Sequence, residues 1–246
     1  MERQEYTAET YPSFGKKYNG EKAIISLTSW RARINTVAKT IYSLIKQCPG
    51  FHIVLVLSEE EFPKMMNELP ENLMLFVENE LIEVLWVYKN YKSFKKVLFT
   101  MDKYRDVPVI SADDDCVYKF NYAEELYETW KNNKNCLVTY RHGKYKNICH
   151  QWGAATLHPP YFYGKFGLEF LNKTIIETNL DDGYYLILRD KFNLSNYIMI
   201  NKDLFRNVLT FHTNAFAISS IYSKNNMCDR ALKLFDKIIE YLKNNQ

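Results

Sequence analysis

Glycine is scarce in this sequence, 8 of 246 residues. None falls in "LTSWRARINT", the segment that follows the first long apolar run, so a glycine-rich phosphate loop is absent there. Cysteine is sparse and unpatterned. Cys48, Cys116, Cys136, Cys149 and Cys228 are odd in number and scattered, and no CxxC or Cys/His pair has zinc spacing. That excludes a zinc finger, speaks against a disulfide framework and fits a reducing compartment. No apolar run is long enough to span a bilayer. The opening "MERQEYTAETYPSFGKKYNG" lacks the apolar centre of a secretion signal. A cytoplasmic protein is the expectation, and attachment at the inner face of a membrane remains compatible with it. A net charge of +3 is too small to make nucleic acid the expected partner.

What is present is the composition of a globular chain: 47% hydrophobic and 25% charged residues. Aromatics reach 15%, with 19 Tyr, which suits flat amphipathic ligands such as bases and sugars and equally follows from AT-rich coding. The length allows one large α/β domain or two small ones.

The apolar pattern predicts strands alternating with helices. "KAIISLTSW" reads as a buried strand over Ala23 to Thr28. In "NTVAKTIYSLIKQCPG", Val37, Ala38, Ile41, Leu44 and Ile45 share a helical face, with Asn35 as N-cap and Pro49-Gly50 as the stop. "FHIVLVLS", the end of "ELIEVLWV", "VPVIS" and "NCLVTY" read as further strands. "SFKKVLFTMDKY" and "NYAEELYETWKNN" read as helices, the second opened by a capping box of Asn121 and Glu124. Such alternation implies parallel strands joined by right-handed crossovers, with ligands bound beyond the carboxyl ends of the strands. Residues 1 to about 20 carry no period, and neither do residues 141–180. The end, "CDRALKLFDKIIEYLKNNQ", is an amphipathic helix whose default role is packing, with contact to anionic lipid as a minority reading.

The chemistry concentrates in "VPVISADDDCVYKF". A strand runs directly into Asp113, Asp114 and Asp115, and three adjacent carboxylates repel one another unless a positive partner lies among them. In an extended segment Asp113 and Asp115 point to one side, which suits a hard divalent cation, Mn²⁺ or Mg²⁺. The bland alternative is a solvated turn or a helix cap. A phosphatase with an Asp nucleophile carries such a motif on its first strand, and a two-metal nuclease needs further ligands at helical spacing; neither pattern is found.

The ordered set "ISLTSWRARINTVAKTIYSLIKQ", "LVLSEEEFP", "YKSFKKVLFTMDKY", "ISADDD", "WGAATLHPP" and "NLDDGYYLIL" resembles a bacterial GT-A-fold glycosyltransferase of surface-polysaccharide biosynthesis, over most of residues 23–235. The chain departs from that family at Ala154 and Ala155, where the family pattern has glycines. The resemblance implies a single domain over residues 1–246 with a Rossmann-type, mostly parallel sheet. Residues of about 23–140 would bind the nucleotide-sugar, residues of about 141–230 the acceptor, and 229–246 would form the terminal helix. It implies transfer of a hexose from a nucleotide-sugar donor, a UDP-sugar first, to a glycan or lipid-linked glycan of lipopolysaccharide or capsule type, with Mn²⁺ or Mg²⁺; inversion is the expectation because Asp182 is placed as a base, and a retaining route stays open. Competing readings are a metal-dependent phosphatase or nucleotidyltransferase, and a non-catalytic nucleotide- or sugar-binding domain.

The resemblance also suggests roles by position. Asp113 and Asp115 would hold the metal, with His212 as a third ligand, and Asp114 would face the donor ribose or sugar. Thr28 and Ser29 would lie at the nucleotide and Arg33 at a phosphate, against a plain reading as loop caps and a solvated arginine. One of Lys95 and Lys96 would face the nucleotide, Lys96 slightly favoured. Asp182 or Asp181 would take the acceptor proton, Asp182 preferred, although an Asp pair opening a helix also serves its dipole. His142, Trp152 and Asp229 would lie on the acceptor side, Trp152 being equally a core residue.

Overall fold

The computed structural model describes residues 6–47, 49–134, 136–140, 142–145, 148–151, 154–163, 166–179, 181–191, 197–200, 209–210, 236 and 240. The apolar runs form the centre of one sheet: β1 (Ser13–Gly15), β2 (Ala23–Thr28), β3 (Phe51–Ser58), β4 (Glu83–Val87), β5 (Val109–Ala112), β7 (Leu137–Thr139), β10 (Ala155–His158) and β11 (Tyr197–Met199). β6 (Cys116–Val117) pairs with β12 (Leu209–Thr210), and β8 (His142–Tyr145) with β9 (Ile148–Gln151), outside that sheet. The helices are α1 (Val37–Ile45), α2 (Glu71–Glu78), α3 (Lys95–Lys103), α4 (Tyr122–Lys131), α5 (Phe166–Glu169), α6 (Lys173–Thr178) and α7 (Asp181–Lys191).

The strand order is β1-β4-β3-β2-β5-β10-β7-β11. β2 is parallel to β3 and β5, β3 to β4, and β7 to β11. β1 and β10 run the other way, so six of the eight strands share one direction and the α/β, mostly parallel architecture is the one expected. Every residue of β3 is buried, which explains its unbroken "FHIVLVLS" where a half-exposed strand would alternate.

Two cores form on the two faces. Ile25 and Leu27 pack with Val37, Ile41 and Leu44 of α1 and with Leu126 of α4. Ile24, one residue out of phase, packs with Val97 and Leu98 of α3 and with Tyr184, Tyr185 and Leu188 of α7. Each such fully buried aliphatic side chain contributes about 1.5–3 kcal/mol. Ser26 faces α3, where its hydroxyl bonds Thr100 Oγ1 at 2.6 Å, so a polar side chain enters the core without losing a partner.

Four expectations are corrected. α1 begins at Val37 behind Thr36 rather than Asn35, and the Thr36 hydroxyl turns back to the Arg33 carbonyl at 2.9 Å. Asn121 does precede α4, but it makes no side-chain cap; its backbone is not extended as a capping box requires, and its amide reaches Glu125 instead of pairing with Glu124. The opening segment is not structureless: β1 covers the outer edge of β4, and Gly15 is needed there, because a Cβ would meet the Ile82 carbonyl oxygen at 2.4 Å. Finally, β10 inserts antiparallel between β5 and β7. Its four buried residues, "ATLH", are too few and too mixed to show a period.

At the end of the sheet where β3 and β4 begin lies a buried polar cluster. The Glu83 carboxylate is 2.6 Å from His52 Nε2, and it accepts from Lys103 Nζ and the Tyr104 hydroxyl, each at 2.6 Å. Burial alone would raise its pKa; these hydrogen bonds and the Lys103 charge outweigh burial and hold it at about 2. A depressed carboxylate pKa stabilises the fold above the unfolded value and loses that contribution as pH falls. Glu83 should therefore cost about 3 kcal/mol of stability between pH 4.5 and 2. Urea midpoints measured across that window should drop in the native chain and flatten in Glu83→Gln.

Candidate active site

The carboxyl end of β5 opens on a turn that carries Asp113, Asp114 and Asp115 before the chain re-enters β6. The turn is fixed from below. The Tyr118 hydroxyl accepts from the Asp113 N–H at 2.8 Å and donates to the Ala154 carbonyl at 2.8 Å. Thr40 Oγ1 on α1 donates to the Asp114 carbonyl at 2.9 Å. Ala154 thus closes a bridge beneath the turn, and Ala155 sits opposite Ala112 on the neighbouring strand.

The three carboxylates go to different partners. Asp114 is buried, with Ser29 Oγ donating to one oxygen at 2.6 Å and an Arg33 guanidinium nitrogen to the other at 2.5 Å. The second guanidinium nitrogen lies 3.1 Å from Asp115. Asp113 accepts from Lys96 Nζ at 2.8 Å, and the same ammonium lies 3.1 Å from Asp181 at the start of α7. Lys96 is buried, and the helix before Val97 points it at the turn.

Burial pushes Asp114 upward in pKa, and the Arg33 charge and the Ser29 bond oppose it. Asp115 is also pushed up, by burial and then by Asp113. For Lys96, burial works against the charge, but Asp113, Asp181 and Asp182 overcome it and hold the ammonium well above its ordinary range. Five carboxylates, Asp113, Asp114, Asp115, Asp181 and Asp182, therefore converge on two cations, Arg33 and Lys96, a formal excess of three negative charges.

A cation would relieve that excess. Carboxylate oxygens of Asp113 and Asp115 and the Cys116 sulfur lie within 4.8 Å of one another. The two carboxylates suit a hard divalent ion. Cys116 does not, because sulfur is a soft donor and hard divalent ions take oxygen ligands. The donor set thus fits Mg²⁺ or Mn²⁺ through oxygen, with water and ligand oxygens completing the shell.

Other residues singled out in the sequence distribute as follows. The Thr28 hydroxyl is bonded to the Val56 carbonyl at 2.7 Å, and Ser29 reaches Asp114. Arg33 and Lys96 both sit at the acidic turn, whereas Lys95 turns away to Glu61 at 2.7 Å. Asp181 is buried and Asp182 half-buried in the first turn of α7. His142 lies in β8, opposite Gln151 of β9. Trp152, His212 and Asp229 lie outside the described residues, and so does the expected terminal helix apart from residues 236 and 240, which are helical. Tyr118 and Thr40 were not singled out; a tyrosine five positions after the motif and a threonine inside a helix carry no sequence signal of their own. Among the described residues, no helix is long and apolar enough to cross a membrane.

No protein-family model matches the chain, and no curated protein matches it. Among solved structures it is similar to the glycosyltransferase GlyE of Streptococcus pneumoniae TIGR4, at 12% identity and a TM-score of 0.45. It is also similar to the apo form of that enzyme, at 12% identity and a TM-score of 0.46. Each match covers 92% of this chain and 64% of the other, so the chain spans a little under two thirds of that protein's length.

Proposed function

We propose that the chain is a metal-dependent glycosyltransferase that moves a sugar from a nucleotide-sugar, a UDP-sugar first, to a surface-glycan acceptor with inversion. One observation carries the reading: the Lys96 ammonium lies 2.8 Å from Asp113 and 3.1 Å from Asp181. Two acidic motifs remote in sequence thereby become one site at the carboxyl edge of the parallel strands, where ligands of such sheets bind. A domain that only bound a nucleotide would have no need of the second acid pair.

Asp113 and Asp115 would hold Mn²⁺ or Mg²⁺. When bound, the ion supplies Lewis-acid stabilisation to the departing diphosphate. The other roles belong to the chain itself. Arg33 keeps Asp114 and Asp115 in place and adds positive charge on the diphosphate side. Lys96 holds Asp113 against α7, so the metal-side carboxylate and the acid pair share one rigid frame. Asp182 would accept the acceptor hydroxyl's proton. Asp181 is engaged by the Lys96 ammonium at 3.1 Å, while Asp182 is the more accessible of the pair.

Thermal shifts with UDP, GDP and CDP, each with and without Mn²⁺, test the reading. At a hundredfold excess over Kd, bound nucleotide adds about 2.7 kcal/mol, or roughly 5–10 °C in Tm for a chain of this size. UDP should give such a shift with Mn²⁺, and Asp113→Asn should lose the metal-dependent part. Failure of all three nucleotides to move Tm with Mn²⁺ present would remove the proposal.

A further inference from the structure

A cleft of about 790 Å³ opens at the carboxyl end of β4, between the 88–92 loop and the α5–α6 segment. It touches none of the five aspartates. Three strand spacings separate β4 from β5 in the sheet, roughly 14 Å, so the cleft lies on the same edge as the acidic site but to one side of it.

Its wall is aromatic and its rim charged. Tyr88, Tyr91 and Phe99 contribute rings, Lys89, Lys92 and Lys173 outnumber Glu60 and Glu177 on the rim, and Lys173 lies 3.9 Å from Glu177. Tyr91 is braced on Phe99 with ring centroids 4.6 Å apart. The half-buried Tyr88 has no side-chain partner among the described residues, and neither does the ammonium of the half-buried Lys92. The Tyr88 ring and the Lys92 side chain are thus the pair presented to the cleft.

The loop that presents them is held in an unfavourable conformation. Lys92 has φ of +51°, a left-handed backbone that a residue with a Cβ adopts at a cost. Asn90 enforces it: its side-chain oxygen accepts from the Lys92 N–H at 2.8 Å and from the buried Lys95 ammonium at 3.0 Å. The Asn90 N–H in turn donates to Glu60 at 2.7 Å. Met65, Glu80, Tyr161 and Asn179 also have positive φ, but at Lys92 the side-chain oxygen of Asn90 holds the turn beside the cleft. Glycine at 92 would satisfy the turn more easily, so the lysine side chain is what the strain retains.

We propose that this cleft binds an acidic saccharide, with the Tyr88 ring against a sugar face and Lys92 against a sugar carboxylate. A tyrosine offers a rigid apolar face with a polar tip, which matches the C–H face and hydroxyl edge of a pyranose. A charge-assisted bond from Lys92 selects an acidic sugar over a neutral one. The link to catalysis, that this saccharide is the class of glycan the enzyme extends, rests on the transferase reading; binding at the cleft does not.

The test is calorimetric titration of the full chain with tri-galacturonic acid, with galactotriose, which lacks only the carboxylates, and with UDP. Tri-galacturonic acid should bind and galactotriose should bind more weakly. Lys92→Gly should weaken tri-galacturonic acid about tenfold or more while Tm stays level or rises, because glycine accepts the left-handed turn. Tyr88→Ala should weaken both saccharides. Asp113→Asn should leave saccharide binding intact while abolishing metal-dependent UDP binding, so the two readings fail separately. The proposal is overturned by native protein that does not bind tri-galacturonic acid, by equal binding of galactotriose, or by UDP competing for the Tyr88-dependent site.

Discussion

Arg33→Met should lower the unfolding free energy at pH 7 by about 3–5 kcal/mol, the usual cost of removing one partner from a buried ion pair. The arginine side chain is 12% exposed, and its partners Asp114 and Asp115 are 8% and 20% exposed, so water cannot take over the lost contacts. Asp114 keeps its bond from Ser29 but loses the charge that opposes its burial. The sign of the pH dependence follows. A carboxylate whose folded pKa is raised binds its proton more tightly in the native state, so stability falls as pH rises through the folded value. Asp114 is already raised from 3.8, and losing Arg33 raises it further. The deficit of Arg33→Met should therefore shrink as pH is lowered from 7 toward the raised Asp114 value, whereas Glu83 acts with the opposite sign. Adding Asp114→Asn to Arg33→Met should also recover stability, because the uncompensated charge is gone. Urea midpoints at pH 7 and pH 5 decide it. A deficit below about 1 kcal/mol at pH 7 would mean the pair behaves as a solvated surface bridge.

The parallel half of the sheet was legible in the sequence for a physical reason. Strands buried on both faces, such as Phe51–Ser58, must be apolar throughout, and that leaves an uninterrupted run. β1 and β10 left no such trace. Ser13–Gly15 is an edge strand of three residues with two exposed, and Ala155–His158 is four residues placed by its neighbours. Helix caps were harder to read because local hydrogen bonding competed with capping: Thr36 served Arg33, and Asn121, correctly placed before α4, served Glu125.

At the site, the aspartate triplet announced itself, because an acidic run after an apolar strand has no role in a core. The identity of its resting partners did not. Lys95 and Lys96 are adjacent on α3, and in sequence nothing separates them. About 100° of helical rotation sends one to Glu61 and the other to Asp113 and Asp181. Nor could the sequence alone show Asp181 beside Asp113, since the contact depends on how α7 packs over α3 and β2.

Asp182→Asn should reduce transfer by about 10²–10⁴-fold in kcat while leaving metal-dependent nucleotide binding intact. The acid sits in the first turn of α7, so it also favours the helix dipole, a contribution of about 0.3–1 kcal/mol that asparagine forfeits. For a chain of this size that is at most about 4 °C in Tm, far too little to account for the loss of turnover. Asp181→Asn is the contrasting case. It removes one of the two carboxylates held by the Lys96 ammonium, so its effect should fall on Tm and on the affinity for nucleotide with Mn²⁺, with a smaller effect on kcat. The two neighbours thus separate a proton acceptor from a positioning residue by which observable moves. Full transfer by Asp182→Asn would remove it as the base. Should Asp181→Asn then show the isolated loss of kcat, the proton acceptor is the acid that Lys96 holds, and the ammonium belongs to the proton transfer and not only to the frame.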